Sequence, residues 1–131
     1  MYNAMPDNSI YISGPIGNGG KCSEEQVLTN VNNGEDIYMN LIKKGWNPEC
    51  PHMSYYPDKR WREQNLGRFD HATWLALDKM KVYNNKYFFY MVPEVYGESK
   101  GARMEYEWAL SWGKKIFTDL KEIPTKLEMV I

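Results

Sequence analysis

Few residues in this chain can hold a metal or form a cross-link. Its two cysteines, Cys22 and Cys50, have no CxxC spacing, and His52 and His71 are its only histidines. Neither a structural zinc nor a disulfide framework is expected, and no cofactor is required. No run approaches the roughly 18 apolar residues of a membrane span. The opening MYNAMPDNS lacks the basic start and apolar stretch of a secretory signal, so a cytoplasmic setting with reduced thiols is the expectation. Charge of one sign is missing too: 16 Lys and Arg stand against 17 Asp and Glu. That balance argues against a binder of nucleic acid polymers or membrane surfaces, so a ligand is expected in a local site.

The chain of 131 residues is read as one domain, 1–131. Aromatics are plentiful, with ten Tyr and five Trp. Those in polar stretches, Tyr55, Tyr56 and Trp61, are candidates to stack on a flat ligand.

SIYIS, residues 9–13, reads as a short buried strand ended by Gly14-Pro15. Ser23 and Gln26 form a capping-box pattern, and Val27, Leu28, Val31, Tyr38, Leu41 and Ile42 share one face of a helix over 23–44, closed by Gly45. A second short strand follows, limited by Pro48 and Pro51. Residues 51–68 have no clear period and read as a long loop with at most a helical turn. Residues 69–84 are helical by composition, 86–92 are strand-like, 93–100 form a turn-rich loop, 101–113 a helix and 114–118 a fourth strand; 120–131 reads as a short helix or strand. This order predicts an α/β fold: a Rossmann-like or flavodoxin-like doubly wound parallel sheet of four to five strands in three α/β/α layers. Ligands of such sheets sit at the carboxyl ends of the strands, which singles out the loops 13–22, 50–68 and 93–101.

The glycine loop, Gly14 to Gly20, matches neither GxGxxG nor a Walker A motif. It is either a flexible connection or bare backbone that lets N–H groups approach a sugar or phosphate. Glu105 is expected at the edge of a stripe of Ala102, Tyr106, Ala109, Leu110 and Gly113 that packs on the sheet, with Glu107 pointing away. On position alone, it reads as a surface glutamate favoured by the helix dipole. Asp78 alone reads as a solvated helix residue. Together, two carboxylates are the minimal equipment for breaking a glycosidic bond. The 52–68 loop reads as a lid over a nucleotide-sized ligand, as a single-strand binder or as a structural loop.

YISGPIG, PECPH, WLALD, SKGARMEYEWA and GKKIF, in this order over residues 9–118, resemble the nucleoside 2-deoxyribosyltransferase-like superfamily, which includes 2′-deoxynucleoside 5′-monophosphate N-glycosidases. The resemblance implies that Glu105 is the nucleophile at C1′ of the deoxyribose, that Asp78 assists and positions it, and that Tyr11 orients it. It places Gly14 and Ile16 in the loop around sugar and base, with Ser13, Pro15, Gly17 and Gly101 among the substrate-binding residues. His52 is implied beside the base and Ser99 at a 5′-phosphate. Where relatives carry a phosphate-binding arginine the chain has Gly17, leaving that contact to Lys21, Arg60, Arg62 or Lys100; Lys86 replaces a frequent aspartate. The implied activity is hydrolysis of a deoxynucleoside 5′-monophosphate. The alternatives are base exchange between deoxynucleosides and a non-catalytic nucleotide-sequestering protein. The implied partners are a small deoxynucleotide or deoxynucleoside and a second copy of the chain, as a homodimer or larger homo-oligomer.

Overall fold

The computed structural model describes residues 7–126. The chain runs β1 (Ser9–Ser13), α1 (Glu24–Lys43), β2 (Asn47–Glu49), a 3₁₀ turn (Pro51–Ser54), α2 (Tyr55–Glu63), α3 (His71–Asn84), β3 (Tyr87–Tyr90), a single helical turn α4 (Pro93–Tyr96), α5 (Lys100–Ser111), β4 (Lys115–Phe117) and a last 3₁₀ turn (Leu120–Glu122). All four strands are parallel, in the order β2-β1-β3-β4. This is the expected three-layer α/β architecture, with four strands.

Side-chain alternation along β1 and β3 builds the two layers. Ile10 and Ile12 join Phe89, Met91, Ile37 and Leu41 in one apolar cluster, on the α1 face. Tyr11 joins Phe88, Tyr90, Val82, Ala102 and Ala109 in the other, under α3 and α5. A strand has a side-chain period of two, so a central strand buried on both faces must be apolar throughout. β1 obeys this at Ile10, Tyr11 and Ile12 and has serine at each end; the last, Ser13, is completely buried and its hydroxyl therefore needs a partner.

Several expectations are corrected. The 51–68 segment holds the nine-residue helix α2. None of its residues is fully buried, so it shows no apolar period, and Pro57 lies in its first turn, where a missing N–H costs no helical bond. Helix α3 starts at His71, because Asp70 caps it by accepting from Thr73 N at 2.8 Å. The inward face of α1 is Asn30, Val31, Gly34, Ile37 and Leu41, rotated from the expected face. Ser23 caps α1 by accepting from Gln26 N, but the Gln26 amide turns forward to Asn30 Oδ1 (2.9 Å) rather than closing the capping box. On α5 the buried stripe is Ala102, Glu105 and Ala109, while Leu110 is half exposed. Of the segment 120–131, the described part forms the 3₁₀ turn and lies over Trp46, whose indole donates to Pro124 O at 2.8 Å; the rest of that expectation lies outside the described residues. Both cysteines are free, and among the described residues no helix is long and apolar enough to cross a membrane.

Candidate active site

The strand order reverses between β1 and β3, since the chain moves from β1 outward to β2 and then returns to β3 on the other side. The loops leaving β1 and β3 diverge there and open a crevice at the carboxyl edge of the sheet. Two features let β1 end so close to its neighbour. Gly14 has no side chain, and a Cβ there would strike the Met91 side chain. Ser13 directs its hydroxyl across the sheet to α5.

Glu105 projects from α5 into this crevice with only 5% of its surface exposed. Ser13 Oγ donates to Oε1 at 2.6 Å and Tyr11 OH donates to Oε2 at 3.0 Å. Ser13 has a second acceptor within reach, Ala102 O, but at 3.4 Å, so its one proton belongs to the carboxylate. Burial pushes the Tyr11 phenol well above its usual range, with the Glu105 charge adding to the shift, so Tyr11 stays a neutral donor. Residues 11 and 13 point to the same side because they are two apart on a strand, which is how one short strand serves both carboxylate oxygens.

Asp78, from α3, completes a carboxyl pair hydrogen-bonded to Glu105. Burial pushes Glu105 up to about 8, against the opposing effect of the Ser13 bond, and Asp78 adds to the rise. Burial likewise pushes Asp78 up to about 6 while Lys81 pulls it down. Near neutral pH the pair therefore holds a single proton, and its two titration steps belong to the pair as a whole.

The pair opens on a cavity of about 290 Å³, at the lower end of the range for small-molecule sites. Gly14, Ile16, Gly17, Ser99 and Gly101 line it beside Glu105 and Asp78. Tyr11 and Ser13 stand behind Glu105. Ser99 is the N-cap of α5 and accepts from Ala102 N at 3.2 Å. The glycine loop is clasped to that helix start by Asn18, whose Oδ1 accepts from Lys100 N at 3.2 Å; Asn18 takes a left-handed φ of 47° to do so.

His52 and Pro15, expected against the substrate, are placed behind the wall. His52 is fully buried, with Nε2 2.9 Å from Pro15 O and Nδ1 3.3 Å from Cys50 Sγ. A carbonyl only accepts, so Nε2 carries the proton and Nδ1 accepts from the Cys50 thiol. The groups agree in charge: burial pushes His52 down to about 4 and Cys50 up to about 12, so both stay neutral. With Asn30 Nδ2 donating to Ile16 O at 2.8 Å, His52 ties down consecutive carbonyls of the loop. The histidine's work in this structure is to shape the loop.

Three of the lining residues were not singled out for the site by sequence reasoning. Asp58, on α2, and His71 and Trp74, on α3, line the cavity, together with Tyr55. The half-buried face of α2, Tyr55, Asp58, Lys59 and Arg62, keeps helical spacing but is mostly charged, so it carries no apolar signal that would have pointed to Asp58. Trp61 instead packs near Phe69, with ring centroids 6.4 Å apart. Of the candidate phosphate ligands, Lys21, Arg60, Arg62 and Lys100 do not line the cavity, and Arg62 pairs with Asp58 at 3.1 Å. Among the described residues no three His, Cys, Asp or Glu side chains gather as a metal site. No family model, curated protein or solved structure matches the chain.

Proposed function

We propose that this protein breaks the N-glycosidic bond of a 2′-deoxynucleoside unit, with Glu105 as nucleophile. The observation that carries this reading is a buried glutamate held by Tyr11 and Ser13, hydrogen-bonded to a second carboxyl, and facing a cavity. In the first step a Glu105 oxygen forms a bond to C1′ as the C1′–N bond breaks through an oxocarbenium-like transition state. The single proton of the pair first passes from Glu105 to Asp78 across their hydrogen bond, and the electron pair then goes to the base nitrogen, which takes that proton from Asp78. Tyr11 and Ser13 stabilise the ionised glutamate before the step and reorient with it afterwards. Water, or a second base, then bonds to C1′ and releases Glu105, while Asp78 recovers a proton from the acceptor. Hydrolysis and base exchange differ only in that acceptor.

A second reading concerns the 5′ end. Ser99 and Gly101 at the start of α5 favour a 5′-monophosphate, since a hydroxyl and helix N-terminal amides suit an anion. The cavity lining favours the uncharged deoxynucleoside, because it contains Asp58, Asp78 and Glu105 and neither Lys nor Arg. Carboxylates lining the same cavity oppose a dianionic phosphate, so the deoxynucleoside is the preferred donor.

Incubation with each deoxynucleoside and each 5′-monophosphate, followed by chromatography for free base, tests the reading. Acid-quenched samples should also show one deoxyribosyl unit added to the peptide that contains Glu105. No free base from any of these donors would refute it.

The pH profile follows from the shared proton. Below about 6 both carboxyls are protonated and the nucleophile is lost; above about 8 both are ionised and the acid is lost. We expect a bell-shaped kcat/KM with limbs near those values and a maximum near 7. Asp78→Asn should remove the alkaline limb, and an unchanged bell in that variant would exclude Asp78 as the acid.

A further inference from the structure

Ser13 was expected against the substrate, yet it does not line the cavity. It stands behind Glu105 with none of its surface exposed and donates to Oε1 at 2.6 Å. The Tyr11 phenol reaches Oε2 at 3.0 Å. The serine distance falls in the short range of hydroxyl bonds to a carboxylate, whereas the tyrosine distance lies at the long limit for two oxygens. The serine is also rigidly mounted. Its carbonyl accepts from Met91 N at 2.8 Å and it stands in register with Tyr90 of β3, so two paired strands aim its hydroxyl at α5.

A hydrogen bond to an ionised acceptor is roughly twice as strong as one to a neutral acceptor. Ser13 therefore favours the form of Glu105 that has given up its proton. The carboxyl pair holds one proton near neutral pH and has two arrangements. With the proton on Glu105, the nucleophile is masked and Asp78 has nothing to donate. With the proton on Asp78, the nucleophile is ionised and the acid is charged. Among the described residues the Glu105 carboxyl is hydrogen-bonded by Ser13, Tyr11 and Asp78. Tyr11 and Cys50, which feel its charge, both stay neutral. Lys81 and His71 on α3 and Glu49 on β2 act on Asp78. The pull that draws the proton off Glu105 from its own side thus comes from β1, and of the two donors there Ser13 has the larger effect.

We propose that Ser13 is the positioning residue that shifts the shared proton from Glu105 to Asp78, the arrangement in which the pair can act, with Tyr11 contributing the smaller share. The proton leaves a Glu105 oxygen and bonds to an Asp78 oxygen, and the negative charge moves the other way, onto the carboxyl that Ser13 holds. The consequence for rate rests on the N-glycosidic reading of the cavity; the consequence for the proton does not.

The test compares the wild type with Ser13→Ala, Ser13→Cys and Tyr11→Phe. Carboxyl carbon NMR with labelled glutamate follows the Glu105 titration, the signal being assigned by its absence in Glu105→Gln. Base release from the deoxynucleosides gives kcat/KM over the same pH range. In Ser13→Ala the upper step of the pair should rise by about one to two pH units, carrying the alkaline limb of kcat/KM with it. At pH 7 kcat/KM should fall by up to about tenfold for each unit of that rise. Ser13→Cys, with a weaker donor, should fall between, and Tyr11→Phe should move the step less than Ser13→Ala. An unmoved step in Ser13→Ala, or a larger move in Tyr11→Phe, overturns the proposal. A fall in rate with the limb left in place shows a merely structural serine and overturns it too, as does a moved step with undiminished base release. Should the wild type release no base, the N-glycosidic reading falls, while the titration still decides whether Ser13 draws the proton from Glu105.

Discussion

Glu105→Gln lowers free-base release by about a thousandfold or more, leaves the protein folded, and removes part of the pH dependence of its stability. The rate loss follows because an amide cannot form the bond to C1′, and groups acting as one unit lose most of their effect together. The stability change has an independent origin. Burial raises Glu105 from 4.5 to about 8, so the folded protein holds this proton where the unfolded chain has released it. Its contribution is fully present below pH 4.5 and is lost as pH rises through about 8, at no more than ~1.4 kcal/mol per pH unit for one proton. Between pH 6.5 and 8 the wild-type melting temperature should therefore fall, and that of Glu105→Gln should stay nearly level. Glutamine still accepts from Tyr11 through its carbonyl and can donate to Ser13 Oγ, so no buried partner is abandoned. Thermal melts over that pH range, run beside the base-release assay, check both halves. A variant with undiminished activity removes Glu105 from the chemistry, and parallel melting curves would show that the wild-type carboxyl is not held protonated.

Periodicity alone placed Glu105 at the edge of the α5 stripe and left Asp78 a solvated residue; the resemblance is what joined both to Tyr11, and the structure does bring the three together. Period two on β1 explains why Tyr11 and Ser13 reach the same side, while the buried stripe of α5 is centred on Glu105 itself. Helix α1 was placed correctly but faced wrongly. Its inward stripe includes Asn30 and Gly34, which carry no apolar signal, and each is inside for a reason outside the helix: Asn30 holds Ile16 O, and Gly34 makes room for His52. The α2 contribution was illegible for a related reason. Its half-buried face, Tyr55, Asp58, Lys59 and Arg62, keeps helical spacing, but three of the four are charged, so the sequence shows no apolar stripe and Asp58 reads as a solvated residue. His52 was expected beside the base from the resemblance alone, whereas burial between a carbonyl and a thiol is a tertiary fact that no spacing records.

Gly34→Ala should destabilise the protein by about 2–4 kcal/mol, although alanine is the better helix former by about 1 kcal/mol. A Cβ at position 34 would lie 2.6 Å from His52 Cδ2 and 2.7 Å from Nδ1. The ring has nowhere to go, being fully buried and fixed at both nitrogens by Pro15 O and Cys50 Sγ. Moving it leaves the Pro15 carbonyl unpaired at about 1–3 kcal/mol, on top of about 1–3 kcal/mol for overpacking, and the sum outweighs the gain in helix propensity; the Cys50 thiol keeps Gly34 O as an acceptor. His52 carries its own signature in acid. Its folded value near 4 lies below the ordinary 6.5, so its contribution is present above pH 6.5 and is lost as pH falls toward about 4, a loss of about 3 kcal/mol over that span. Urea unfolding of Gly34→Ala, His52→Ala and the double variant separates the contact from other effects. With the imidazole gone, the added methyl enters vacated space, so Gly34→Ala should become neutral or stabilising in the His52→Ala background. An equal penalty in both backgrounds would show that the ring is not what position 34 must accommodate. The same contact links packing to the site, because the His52 bond to Pro15 O sets the path of the loop that bounds the cavity through Gly14, Ile16 and Gly17.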